Sequence, residues 1–115
     1  MLITVPKMPT PYQIILCTCP DKDTAEKIAR LLVSDKLAAC VNILPGITSV
    51  YRWQEQLESA EEHLLLIKAP KNSYQAIETS IKKHHPYQLP EIIAVPIENG
   101  LPEYLHWIDS CHSYN

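Results

Sequence analysis

Glycine is almost absent from this chain: Gly46 and Gly100 are the only two in 115 residues, against ten prolines, and there is no phenylalanine. Turns must therefore be built mainly on proline. No apolar run approaches the roughly 18 residues that span a bilayer, and Met1 to Thr10 mixes apolar residues with Pro, Thr and Lys instead of forming a signal-peptide core. We accordingly expect a soluble, non-exported, cytoplasmic protein with no membrane partner. Charge of one sign is lacking too: ten Lys and Arg face thirteen Asp and Glu, a net charge of −3, with the basic residues scattered in ones and twos. Nothing here grips a phosphate backbone, which argues against a nucleic-acid partner. There is no P-loop, GxGxxG, HExxH or GxSxG motif and no paired CxxC ribbon.

What is present suits one globular domain. A hydrophobic fraction of 46% supplies a core at this length, so disulfide staples are not needed. We read Cys17, Cys19, Cys40 and Cys111 as free thiols in a reducing compartment. Residues 1–11, with Pro6, Pro9 and Pro11, form a flexible N-terminal arm, and residues 12–115 form a single domain.

The domain opens with Tyr12 to Cys19, a run of strand formers that is largely apolar on both faces, so each face needs a cover. After Pro20, the spacing from Asp23 to Glu26 predicts a helix N-cap, and Ala25, Ile28, Ala29 and Leu32 predict one apolar stripe on a helix over 24–35. A β-prone run from Leu37 to Leu44 is followed by Pro45-Gly46 and a second run from Ile47 to Trp53. Pro-Gly can be a hairpin turn or a bulge within one long strand. We prefer the bulge, because the polar stretch Gln54 to Glu62 is a better place to reverse. His63 to Lys68 is a buried strand. Asn72 or Ser73 caps a second helix, striped by Tyr74, Ile77 and Ile81 and stopped by His84-His85-Pro86. A strand from Glu91 to Val95 and a short helix from Pro102 to about Cys111 complete the chain. The order predicts an α+β, ferredoxin-like split βαβ sandwich: an antiparallel sheet with both long helices on one face and a short C-terminal helix. The other face is left bare, which points to oligomerisation.

The chemistry-bearing residues are soft donors. Cys17 and Cys19 share one strand face, and His84 and His85 sit side by side at a helix end. Thiolate with imidazole suits copper or zinc, Cu(I) in particular. The competing reading makes the cysteines packing residues and the histidines helix caps. A catalytic Cys-His dyad has no orienting third group in view, so we expect no enzyme. Glu61 or Glu62 and Glu91 are isolated acids beside apolar strands. Pairing with Lys68 or capping of backbone donors is their simplest role, and Glu91 is marked as a residue with a specific job.

Four blocks carry a family resemblance: LAACVNILPGITSVYRW over 37–53, LIK over 66–68, HHPYQLPEIIAVP over 84–96 and YLHWI over 104–108. Together they resemble the CutA family of divalent-cation tolerance proteins, over nearly the whole chain from Tyr12 to Ile108. The resemblance implies a ferredoxin-like homotrimer similar in architecture to PII proteins, with long hairpins reaching between subunits. It implies copper and other divalent cations as ligands, and metal ligands at Cys17, His84 and His85. The alternative is a trimeric scaffold or small-ligand signalling module with no functional metal. The chain departs from the pattern at Glu55, where many relatives carry Gly, and a strained residue there costs roughly 1 kcal/mol. Cys19 is a second thiol that the family pattern does not fix.

Overall fold

A computed structural model describes residues 10–111. The elements run β1 (Tyr12–Cys19), α1 (Lys22–Ser34), β2 (Cys40–Trp53), β3 (Gln56–Pro70), a single 3-10 turn, α2 (Tyr74–His84), β4 (Ile92–Pro96) and α3 (Pro102–Ser110). All pairings are antiparallel and the sheet order is β2-β3-β1-β4, the expected split βαβ arrangement. The flexible arm proposed for residues 1–11 lies almost wholly outside the described residues. Its last two are tied down: Thr10 donates through Oγ1 to the Ile97 carbonyl, and the Pro11 carbonyl accepts from Lys71 N–H at 2.8 Å.

Period-two alternation sorts β1. Ile15, Cys17 and Cys19 are fully buried, and join Leu65 and Ile67 of β3 beneath Ala25, Ile28 and Leu32 of α1 and Ile77 and Ile81 of α2. The helix cap sits two residues earlier than the Asp23 spacing suggests. Asp21 is extended (φ −152, ψ 170) and its carboxylate accepts Thr24 N–H at 2.8 Å, so Asp23 falls in the first turn. A capped N-terminus holds Asp21 acidic below the usual carboxylate range, the Thr24 N–H being the main cause.

The opposite face is not wholly bare. α3 covers one end of the sheet, packing Ile108 and Leu105 with Tyr12 and Ile97, and Tyr12 donates its hydroxyl to Asp109. Beyond α3, Leu44, Ile93 and Val95 stay exposed.

Pro45-Gly46 is a bulge: the β2–β3 register slips between Leu44 and Ile47 while the strand continues to Trp53. The reversal is shorter than the polar stretch suggests. Trp53 pairs with Gln56, so Gln54 and Glu55 alone make the turn, and Gln56 to Glu62 belongs to β3. β1 pairs only from His63 onwards, which leaves 47–62 as a two-stranded arm. Gln54 (φ 50) and Glu55 (φ 66) both lie in the left-handed region, the geometry of the tight turn that suits twisted strands. A side chain there is disfavoured. Glu55→Gly is therefore expected to raise stability by about 1 kcal/mol, read as a higher urea midpoint at fixed protein concentration. A lowered midpoint would count against a left-handed Glu55.

Candidate metal centre

The two long helices seal a small polar cluster at the end of β1. Cys17 and Cys19 face inward because they are two residues apart on a strand. Opposite them the chain leaves α2: His84 is its last residue, and His85 is extended (φ −88, ψ 136), as expected before Pro86. That turn swings the His85 ring into the sheet. The donor atoms of Cys17, Cys19 and His85 all lie within 4.8 Å of one another, and all three residues are buried.

Each ring nitrogen of His85 has a partner. Nδ1 accepts Tyr87 N–H at 3.1 Å and so carries no proton; Nε2 donates to the Thr18 carbonyl at 2.8 Å. The Tyr87 ring packs on the imidazole with centroids 4.7 Å apart. His84 is not brought to this cluster. Its Nδ1 donates to the Ser80 carbonyl at 2.8 Å, one turn back on the same helix, which is the capping contact that competes with ligation. The unwinding at His85 separates the two imidazoles instead of aiming both at one point.

The thiols are inequivalent. The Cys17 S–H can donate to the Cys19 sulfur or to the Thr18 carbonyl at 3.8 Å. Its contact with Cys19, reinforced by burial, holds the Cys17 proton on well above the usual thiol range. The same contact pulls Cys19 below that range against the opposing effect of burial. Cys19 therefore ionises first. His63, directly across the ladder from Cys19, has a buried Nδ1 with no hydrogen-bond partner among the described residues.

The donor set fits a soft ion. Trigonal S,S,N coordination with bonds of about 2.0–2.3 Å places donors about 3.8–4.0 Å apart. Side-chain shifts of under about 1 Å would close the cluster from its present 4.8 Å limit. Ligation by His85 exchanges one of its two hydrogen bonds for the ion. Cys19, undecided from the sequence alone, stands beside Cys17 in this cluster, and its signal in the sequence is the i, i+2 spacing.

The family model described as CutA1 divalent ion tolerance protein matches residues 13–111. The chain belongs to that family. Divalent-cation tolerance protein CutA of Thermus thermophilus is 45% identical over 96 residues, covering 84% of this chain and 93% of the relative. The CutA structure from Xylella fastidiosa superposes with a TM-score of 0.88 at 47% identity, over 90% of this chain and all of that one. These names describe tolerance of divalent cations. A third relative corrects the cytoplasmic expectation. The Archaeoglobus fulgidus protein, 40% identical with a TM-score of 0.85 over 87% of this chain and 97% of its own, is named a periplasmic divalent cation tolerance protein. CutA1 membership thus does not place a chain in the cytoplasm. Among the described residues no helix is long and apolar enough to cross a membrane.

The thiol order can be checked by ultraviolet thiolate absorbance against pH. Cys17→Ala removes the donor that stabilises the Cys19 thiolate and leaves burial opposing it, so the Cys19 pKa is expected to rise. Cys19→Ala is expected to lower the Cys17 pKa, with burial still keeping it above the ordinary value. Unchanged titrations would show that the sulfurs do not interact.

Proposed function

We propose that this chain acts in metal tolerance by binding copper as Cu(I), as a homotrimer, with Cys17, Cys19 and His85 as donors. The supporting observation is the buried cluster of two thiols and one imidazole within 4.8 Å. Thiolates select Cu(I), and Zn(II) accepts the same donors. Burial strips the ion of water and favours low coordination. His84 stays outside the donor set, held by Ser80.

The test is an anaerobic Cu(I) titration against a chromophoric chelator. Cys17→Ser, Cys19→Ser and His85→Ala are each expected to weaken binding by about tenfold or more, while His84→Ala leaves it within about twofold. Affinity should fall with falling pH, because protons compete for the same thiolates and imidazole. If the first three variants bind as tightly as the unsubstituted protein, the cluster is packing. The reading as a scaffold without functional metal would then take its place, in line with His85 having both nitrogens already engaged.

The trimer rests on two features. A two-stranded ribbon is marginal alone, yet the 47–62 arm exposes Val50, Tyr51, Trp53 and Leu57. The arm also stretches the chain to a radius of gyration of 16.1 Å, against about 13 Å for a compact domain of this length. Copies packed arm to sheet face would cover both surfaces. Light scattering is expected to give three times the 13.1 kDa chain mass. A monomer would refute this.

A further inference from the structure

Among the described residues a single buried side-chain nitrogen or oxygen lacks a hydrogen-bond partner, Nδ1 of His63. Such atoms are rare in folded proteins, and each calls for a partner or a purpose. This one is already closed off within a single chain, so another copy in the oligomer cannot reach it. In the tautomer that carries its proton on Nε2, Nδ1 is a bare lone pair, the form in which imidazole ligates a metal. The other two imidazoles near the end of β1 differ. Both ring nitrogens of His85 are engaged, and His84 Nδ1 is held by Ser80.

The fold sets His63 beside the thiol cluster. It stands directly opposite Cys19 in the β1–β3 ladder, and opposed residues of an antiparallel pair share a face, here the one that α1 and α2 cover. Opposed Cβ atoms lie about 4.5–5.5 Å apart, so a cysteine sulfur and a histidine nitrogen from such a pair both reach an ion between them at bonds of about 2.3 and 2.0 Å. The His63 ring is not one of the donors gathered within 4.8 Å, so joining them takes a side-chain rotation.

Coordination chemistry says what a further donor is for. With three protein ligands Zn(II) keeps water or substrate in its fourth position, whereas a closed zinc site completes the tetrahedron with protein. Cys17, Cys19 and His85 are all buried, a poor place for an open position. Two thiolates cancel both charges of Zn(II). A neutral imidazole then completes the set without leaving net charge in the interior, which a carboxylate in that position would not. Cu(I) is selected by the softness of the thiolates and does not demand a tetrahedron.

We propose that His63 Nδ1 is the fourth ligand of this centre, closing an S,S,N,N tetrahedron around Zn(II), while Cu(I) uses the three donors already gathered. This rests on the thiol-centre reading above and extends it to a second ion.

The experiment uses the oligomer as purified, stripped of metal by a chelator and titrated without oxygen with Zn(II), Co(II) or Cu(I). His63→Val keeps a strand former at the position. It is expected to weaken Zn(II) binding about tenfold or more and to alter the visible ligand-field bands that report tetrahedral Co(II), while Cu(I) affinity stays within about twofold. Nitrogen NMR of the histidine rings needs no variant: in the unsubstituted protein, saturating Zn(II) should shift Nδ1 of His63 together with a ring nitrogen of His85 and leave His84 in place. Unchanged zinc affinity and cobalt spectrum in His63→Val, or a His63 ring signal unmoved by zinc, would overturn the proposal. So would a Cu(I) loss as large as the zinc loss. Cys17→Ser separates this failure from failure of the centre itself. If it weakens both ions while His63→Val weakens neither, the three-donor centre stands and the fourth ligand falls; if it weakens neither, both fall.

Discussion

β1 is hydrogen-bonded along both edges, to β3 and to β4, and the layout of the core depends on this double pairing. A strand in that position cannot rotate, and a slip by one residue would exchange its two faces. Ile15, Cys17 and Cys19 therefore have only the helix layer to point into. Fixing those three side chains fixes which faces of α1 and α2 can be apolar, and the buried stripes Ala25-Ile28-Ala29-Leu32 and Ile77-Ile81 answer that demand. The two thiols reach the interior by the same geometry as Ile15, and at no extra conformational cost.

The second fixed point is Pro86. By pushing His85 out of helical geometry it ends α2 and delivers one imidazole, not two, to the end of β1. The loop beyond it is held by side-chain contacts at both ends: His85 to the Thr18 carbonyl, and Tyr87 to Glu62 on β3. Those bonds satisfy groups that the sheet and helix leave open. They also set the thiol cluster and the Tyr87–Glu62 pair back to back across the end of β1, with Thr18 between Cys17 and Cys19.

Much of this is legible in the sequence where a local rule has no rival. The bounds of β1 follow from Pro11 and Pro20, the bulge from Pro45-Gly46 inside a continuous β pattern, and the end of α2 from Pro86. The cap is less legible, because Asp21 and Asp23 are both good cap residues and only the path of the chain after Pro20 selects between them. The division between His84 and His85 depends on a backbone rotation at one residue, which places neighbouring rings on different walls. Glu62 is the hardest to see. In sequence it is one of the pair Glu61 or Glu62 ahead of an apolar strand, and only the folding of the 85–91 loop against β3 selects it, through Tyr87.

The end of β1 is also where the chain departs from what stability alone would choose. Cys17, Cys19, a buried histidine and a buried glutamate with one neutral donor occupy positions that Val, Leu and Phe would fill with greater gain from burial. Elsewhere in the core the residues are almost uniformly Ile, Leu and Ala. Ionisable groups concentrated in one corner of an otherwise aliphatic interior mark the place where packing was subordinated to chemistry. That corner holds two kinds of donor, soft sulfur and imidazole inside the sheet sandwich and hard carboxylate among aromatic rings outside it. Donors of quite different character are therefore separated by the thickness of a single strand, and Tyr87 touches both, through its N–H to His85 and its hydroxyl to Glu62.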